Sequence, residues 1–126
     1  MDKQQLLIVN RMKIGLIFKS IREERGLSQV DAALKLGYAN ATFTCNVEKG
    51  VSAVPLNKVA EFAEVYGAGD SAVVAGVLIK LAHPDAWEQV GNTYSKFAGN
   101  KKVMDRANKE VDKWIADMIK EFKIEF

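Results

Sequence analysis

The sequence predicts an all-α protein with a single small core. Apolar residues recur at three- and four-residue intervals almost throughout the 126 residues, which is the spacing of amphipathic helices rather than of strands. Only two prolines interrupt this pattern. Hydrophobic residues make up 48% of the chain and charged residues 27%, a balance that excludes a disordered or fibrous chain and indicates one domain with one appended element.

The first predicted helix runs from about Met12 to Arg25 and ends at Gly26, a residue suited to the left-handed position that closes a helix. Its buried face is formed by Ile14, Ile17, Phe18 and Ile21. Residues 1–11 are open to two interpretations. Leu7 is in phase with Ile14, which favours an extension of the helix, but the run LLIV also suits an arm or an edge strand.

Two short helices are predicted next. Ser28 is a good N-cap for a helix over residues 29–36, which Gly37 ends. Asn40 can cap another helix that continues to about Lys49. The side chains predicted to face inward are Val30, Ala33 and Leu34 in the first of these helices and Phe43, Thr44 and Val47 in the second.

The fourth predicted helix opens at Pro55 and ends at Gly67, with Tyr66 on its buried face. The fifth begins after Asp70. The body of the fifth, SAVVAGVLIKLA, is apolar on nearly every side, so we expect it to be buried between the earlier helices and those that follow. Pro84 marks a boundary, because the residue before a proline is pushed away from helical geometry. We therefore end the N-terminal domain at His83 and treat residues 84–126 as a helical C-terminal extension.

The extension is predicted to contain two helices with a break at Gly99-Asn100 between them. In the first, the side chains in phase are Trp87, Val90, Tyr94 and Phe97. In the second, an apolar stripe runs from Met104 to Phe122, opposite a charged face. Because a small domain is not expected to cover so large a stripe alone, we expect a homodimer interface formed by Val111, Trp114, Ile115, Met118 and Phe122. The alternative is that the extension packs back on its own domain.

The composition gives enzymatic and metal-dependent functions little support. The chain has one cysteine, one histidine, no CxxC pair and no glycine-rich phosphate loop, so we expect no catalytic residues, no metal site and no cofactor. No apolar run approaches the ~20 residues of a membrane helix, so we expect no membrane partner and a cytoplasmic protein. The net charge of +2 is too small to indicate a nucleic-acid partner by itself.

The most informative segment is Arg22–Gly50, REERGLSQVDAALKLGYANATFTCNVEKG, in which a glycine-containing turn separates two short helices. This is the outline of a helix-turn-helix, whose second helix enters the major groove of DNA. The segment resembles the Cro/repressor (Xre-like) helix-turn-helix family of phage and bacterial regulators. The matching residues are Arg22-Glu23, Gly26-Leu27-Ser28-Gln29, Leu36-Gly37 and Glu48-Lys49-Gly50.

The resemblance extends from about Ile14 to Gly67 and implies a five-helix DNA-binding domain, which we place at residues 12–83. The chain departs from the family pattern within the third helix. Ala41 and Thr42 stand at positions where related turns have Pro and Gln, and Cys45 stands where Ser is usual. These departures leave the base preference unreadable.

The resemblance also implies roles for individual residues. Gln29 is expected to contact a DNA phosphate, and Lys49 and Asn57 are further candidates for such contacts. The residues expected to face the base edges are Asn40, Ala41, Thr42, Cys45 and Asn46. Arg22 and Glu48 are expected to form an internal ion pair that ties the first helix to the end of the recognition helix. For each of these residues the alternative is a solvated surface position.

These features predict a sequence-specific, double-stranded DNA-binding transcriptional regulator. We expect it to repress as a homodimer on an inverted-repeat operator. The alternative is an antitoxin or regulatory interaction module whose C-terminal helices bind a protein partner.

Overall fold

The computed structural model describes residues 2–67, 71–98 and 102–124. These residues form seven α-helices: α1 (Lys3–Glu24), α2 (Gln29–Lys35), α3 (Thr42–Glu48), α4 (Val59–Gly67), α5 (Ser71–Ala82), α6 (Pro84–Ala98) and α7 (Lys102–Glu121). A 3₁₀ turn, Leu56–Lys58, leads into α4. No strand occurs within the described ranges, and the prediction of an all-α protein is confirmed. Nor does any helix there combine the length and apolar character that a membrane crossing requires.

The first helix begins at Lys3 rather than at about Met12. Asp2 caps it by accepting a hydrogen bond from the Gln5 backbone N–H at 2.8 Å, and the Gln5 side chain accepts one from the Asp2 N–H at 3.0 Å. Farther along, the buried Asn10 side chain donates to the Leu81 carbonyl oxygen at 3.1 Å. Residues 3–11 are therefore a helical extension rather than an arm or an edge strand.

Of the three side chains predicted to face inward from the second helix, Ala33 does so, and Val30 and Leu34 do not. Ala32 and Ala33 are fully buried, whereas Val30 and Leu34, predicted to face inward, are more than half exposed. A capping box at Ser28 fixes where the helix starts. The small alanines let the α2 backbone lie close to α3 and α4, so the helix buries them rather than its larger apolar side chains.

The third helix begins at Thr42, two residues after the predicted cap. Asn40 still takes part in its start, because the Asn40 side-chain oxygen accepts a hydrogen bond from the Thr42 N–H at 3.0 Å. At the other end, Gly50 adopts the left-handed backbone conformation, with φ of 77°, that closes a helix. The helix-turn-helix outline is therefore formed by α2 and α3.

The fifth helix is central and packs against α1, α4, α6 and α7. This position explains why its sequence is apolar on nearly every side. The most buried large side chains of the core are Ile17, Phe18, Val47, Phe62, Tyr66 and Leu78. Phe18 stacks on Tyr66 with the ring centroids 4.3 Å apart, so aromatic side chains join α1 to α4.

The apolar stripe of α7 is covered by its own chain. Of the five side chains predicted at a dimer interface, one is buried, Val111, and four are half-buried, Trp114, Ile115, Met118 and Phe122. Trp114, Ile115 and Met118 pack against the core that α5 shares with the earlier helices. The extension thus packs back on its own domain, while four of the five side chains predicted at a dimer interface stay partly exposed.

Of the side chains predicted to lie in phase in α6, Trp87 contacts α7 and Val90 does not. The Trp87 indole N–H donates to the Asn108 side chain of α7 at 2.6 Å, and Gly91 faces Met104. Val90, predicted to lie in phase with Trp87, is exposed. Two of the predicted helix boundaries lie outside the described residues: the break at Gly99-Asn100 and Asp70, after which the fifth helix was predicted to begin. The side chains of Tyr94 and Phe97 also lie outside them.

Candidate nucleic-acid interface

The helix α3 presents one face to solvent. Thr42 and Lys49 are exposed, and Cys45 and Asn46 between them are half-buried. Their spacing of three, four and seven residues from Thr42 places all four on the same side of a helix. The two other residues predicted to read bases come just before the helix: Asn40, which is exposed, and Ala41, which is half-buried. The predicted base-reading residues therefore share one accessible region.

The opposite side of α3 is anchored by the carboxylate of Glu48, whose side chain is 2% exposed. The Arg22 guanidinium donates to it through Nε and Nη2, each at 2.9 Å, a geometry in which two donors match the two carboxylate oxygens. The Tyr66 hydroxyl donates to the same carboxylate at 2.9 Å. Gln29 Nε2 is a fourth donor, at 3.3 Å. We call Arg22, Gln29, Glu48 and Tyr66 the Glu48 cluster.

The predicted ion pair thus comes together at the centre of this cluster. Arg22 also donates from Nη1 to the Leu27 carbonyl oxygen at 2.8 Å. One guanidinium therefore joins α1, the turn before α2 and the last turn of α3. The helix α3 is held against the body of the domain by buried polar bonds as well as by apolar packing.

The pKa shifts of Arg22 and Tyr66 agree with their roles as hydrogen-bond donors to Glu48. Hydrogen bonding to Glu48 raises the pKa of Arg22. Burial raises the pKa of the Tyr66 hydroxyl above its ordinary value of 10.0, and the negative charge of Glu48 raises that pKa further. Both groups therefore keep their protons at neutral pH and remain donors. Within the described residues, every buried polar side-chain atom has a hydrogen-bond partner.

Gly15 lets the backbone of α1 approach the end of α3. A Cβ atom at this position would collide with the carbonyl oxygens of Val47 and Glu48. Glycine in the middle of a helix is otherwise unfavourable, so its presence here is explained by this close approach. The distance between α1 and α3 therefore depends on the absence of a side chain at position 15.

The three residues predicted to contact phosphates lie in different surroundings. Gln29 is half-buried, and its side-chain amide belongs to the Glu48 cluster. Lys49 and Asn57 are exposed. Lys58, next to Asn57, forms an ion pair with Glu61 at 3.1 Å. Lys49 directly follows the last residue of α3 and places a positive charge at the end of its exposed face.

The sequence patterns did not predict the roles of Gly15 and Tyr66. Tyr66 was predicted only as a core residue on the buried face of the fourth helix. Its type carried a further signal, because a buried tyrosine hydroxyl requires a hydrogen-bond partner and phenylalanine would serve as well in a purely apolar core. Which partner it finds depends on how α4 packs against α3, and no local pattern contains that information.

The chain matches no protein-family model, no curated protein and no solved structure. The Cro/repressor family is thus a resemblance carried by the residues of Arg22–Gly50.

Proposed function

We propose that this protein is a sequence-specific, double-stranded DNA-binding transcriptional regulator that represses as a homodimer. The observation that supports the proposal most directly is the division of α3 into two sides. One side exposes hydrogen-bonding side chains, and the other is held by the buried Glu48 cluster. A helix held in this way needs little further ordering when it binds, which favours affinity.

In the proposed complex, α3 enters the major groove. The Asn46 side-chain amide can bond the N6 and N7 atoms of adenine together, and Thr42 can offer its hydroxyl or place its methyl group against thymine. Ala41 and Cys45 offer smaller contacts beside them. General attraction to phosphates does not depend on sequence, so these base contacts carry the discrimination between sequences in the proposed complex.

Contacts to the sugar-phosphate backbone are proposed for the residues around α3. Lys49 and Asn57 are exposed and can donate to phosphate oxygens. The Gln29 side-chain nitrogen carries two hydrogens, so it can donate to Glu48 and to a phosphate at once. Such a contact would couple phosphate binding at α2 to the cluster that orients α3.

Selection of bound sequences from a random double-stranded pool tests the proposal. The wild-type protein should enrich an inverted repeat with half-sites ~34 Å apart. Asn46→Ala and Thr42→Ala should each reduce the preference for operator over scrambled DNA by ~1–3 kcal/mol. Asn92→Ala and Thr93→Ala make the same substitutions at exposed positions of α6 and should leave that preference unchanged.

Two results would count against DNA recognition by α3. One is a pool in which no sequence is enriched, and the other is a full operator preference in both α3 variants. In either case the interaction module, which binds a protein partner through its C-terminal helices, becomes the better hypothesis.

A further inference from the structure

The first half of α1 carries an apolar face that the other described residues leave about half exposed. Leu6 is 46% exposed, Ile8 53% and Met12 44%, and Val9 is half-buried. Polar contacts hold this part of the helix in place, namely its capping box, the Asn10 bond to α5 and an ion pair from Lys3 to α6 at 2.8 Å. Packing within one chain therefore does not explain why these residues are apolar.

These side chains form one continuous surface. At about 100° per residue, Ile8, Met12, Val9 and Leu6 follow one another around one side of the helix. A Cβ atom on Gly50 would lie 3.0 Å from Met12 Cα, so the chain after α3 passes against Met12. This contact brings Val51, which is 66% exposed, to the edge of the same surface. We call Leu6, Ile8, Val9, Met12 and Val51 the α1 patch.

We propose that the α1 patch is the surface through which two copies of this chain associate. The inference rests on the proposed function in one respect, which is that an inverted-repeat operator requires two recognition helices related by a twofold axis. The α7 stripe is already packed on its own chain. Val51 lies three residues beyond the end of α3, and Gly50 approaches Met12, so the patch adjoins the C-terminal end of α3.

A second copy fits the patch in area. Its exposed apolar surface is roughly 350 Å², a size typical of the largest apolar patch on a monomer and often functional. Two such patches bury about 700 Å² of apolar surface, which places the pair among the weak, transient interfaces below ~1,200 Å². The predicted dimer is therefore weak in the absence of DNA.

A second copy also fits the patch in charge. The patch contains no charged side chain, so it can face itself without like-charge repulsion. Asp2 precedes it and Lys13 follows it along the same side of α1. When two α1 helices run antiparallel across a twofold axis, Asp2 of each copy comes opposite Lys13 of the other.

Sedimentation velocity of the full chain without DNA tests this association. Concentrations from about 1 µM to about 1 mM cover the Kd expected of an interface of this size, and the wild-type protein should pass from monomer to dimer. Ile8→Glu and Leu6→Glu, made separately, should each raise the Kd about 10-fold or more. Leu34→Glu changes an equally exposed apolar residue of α2 outside the patch and should leave the Kd unchanged. Far-UV circular dichroism confirms that each variant is folded.

A wild-type chain that stays monomeric at the highest concentration overturns the proposal. So does a dimer whose Kd neither patch variant changes, or one that only Trp114→Ala weakens. These outcomes are separate from a failure of DNA recognition, because association is measured without DNA. A monomeric Ile8→Glu variant that still prefers a half-site over scrambled DNA would support both proposals.

Discussion

Glu48 is a single carboxylate that accepts hydrogen bonds from three helices, through Arg22 of α1, Gln29 of α2 and Tyr66 of α4. Removing a carboxylate from water costs several kcal/mol, and these donors offset that cost. The intact cluster therefore contributes less to stability than the sum of its bonds. The loss of one partner is nevertheless severe, because a buried charge is left without compensation.

We expect Glu48→Ala to lower the free energy of unfolding by about 3–5 kcal/mol, measured by urea unfolding, since it leaves the Arg22 guanidinium buried without a counter-charge. Glu64→Ala, at an exposed position of α4, is the control and should change the stability by less than about 0.5 kcal/mol. A loss below ~1 kcal/mol for Glu48→Ala would be incompatible with a buried pair. Additive effects in a double-mutant cycle with Arg22→Ala would be equally incompatible.

The Tyr66 hydroxyl makes the stability of the protein depend on pH in the alkaline range. The pKa of this group is raised in the folded protein by burial and by Glu48, and it returns to its ordinary value of 10.0 in the unfolded chain. Below that value the hydroxyl is protonated in both states, so its contribution to stability is fully present. Above it the unfolded chain loses the proton first, and the free energy of unfolding falls by up to ~1.4 kcal/mol per pH unit.

Tyr66→Phe should remove this part of the pH dependence, because phenylalanine has no proton to lose. Urea unfolding of both proteins at a series of pH values from about 8 to about 11 measures the two slopes. The variant is expected to be less stable at neutral pH, since Glu48 loses a donor, and to decline less steeply above pH 10. Identical slopes would show that Tyr66 ionises as readily in the folded protein as in the unfolded chain.

At the scale of the elements, the helices are more predictable than the faces they bury. Helix ends follow from single residues, as at Ser28 and Gly50, because these residues dictate the local backbone. The start of α1 was also predictable, since Asp2 and Gln5 have the spacing of a capping box. The buried face of α2 was not, because periodicity favours large apolar residues and the close packing of this helix requires small ones.

The residues of the candidate site also differ in how far the sequence predicts them. The exposed face of α3 follows from helical spacing, and the pairing of Arg22 with Glu48 was implied by the family resemblance. The hydrogen bond from Tyr66 to Glu48 depends on how α4 packs against α3, and the close approach at Gly15 depends on how α1 packs against α3. Residues that act through tertiary contacts of this kind leave only indirect signals in a single sequence.

Gly15→Ala tests the close approach of α1 to α3. Alanine is favoured over glycine in a helix by ~1 kcal/mol, so the substitution would stabilise an open position. Here we expect it to destabilise by about 1–3 kcal/mol, because the new methyl group meets backbone atoms that cannot rotate away.

Gly76→Ala in α5 is the matched control for this prediction. The nearest atoms to a Cβ at that position are in ordinary contact, with Val111 Cγ2 at 3.5 Å and Trp114 Cζ3 at 3.8 Å, so this variant should be neutral or more stable than the wild type. Thermal unfolding of both variants provides the comparison. A Gly15→Ala variant with a higher Tm than the wild type would contradict the contact.

At the scale of the whole molecule, the C-terminal extension completes the core of its own chain. Val111 is buried against α5, and Val111→Asp would place an unpaired carboxylate there. We expect the free energy of unfolding to fall by about 2–4 kcal/mol even in dilute protein. Lys113→Asp, at an exposed position of α7, is the control and should have little effect. If the stripe were instead a surface between copies, Val111→Asp would weaken association and leave the stability of the dilute protein unchanged.

The exposed face of α3 carries Cys45, which is the one cysteine of the whole sequence. A thiol-reactive dye therefore attaches to the natural chain at a single known position, without any introduced substitution. The two tryptophans, Trp87 in α6 and Trp114 in α7, can serve as energy-transfer donors to that dye. The labelled wild-type protein thus carries an optical reporter on α3, and its emission can follow in real time whatever comes to cover that face.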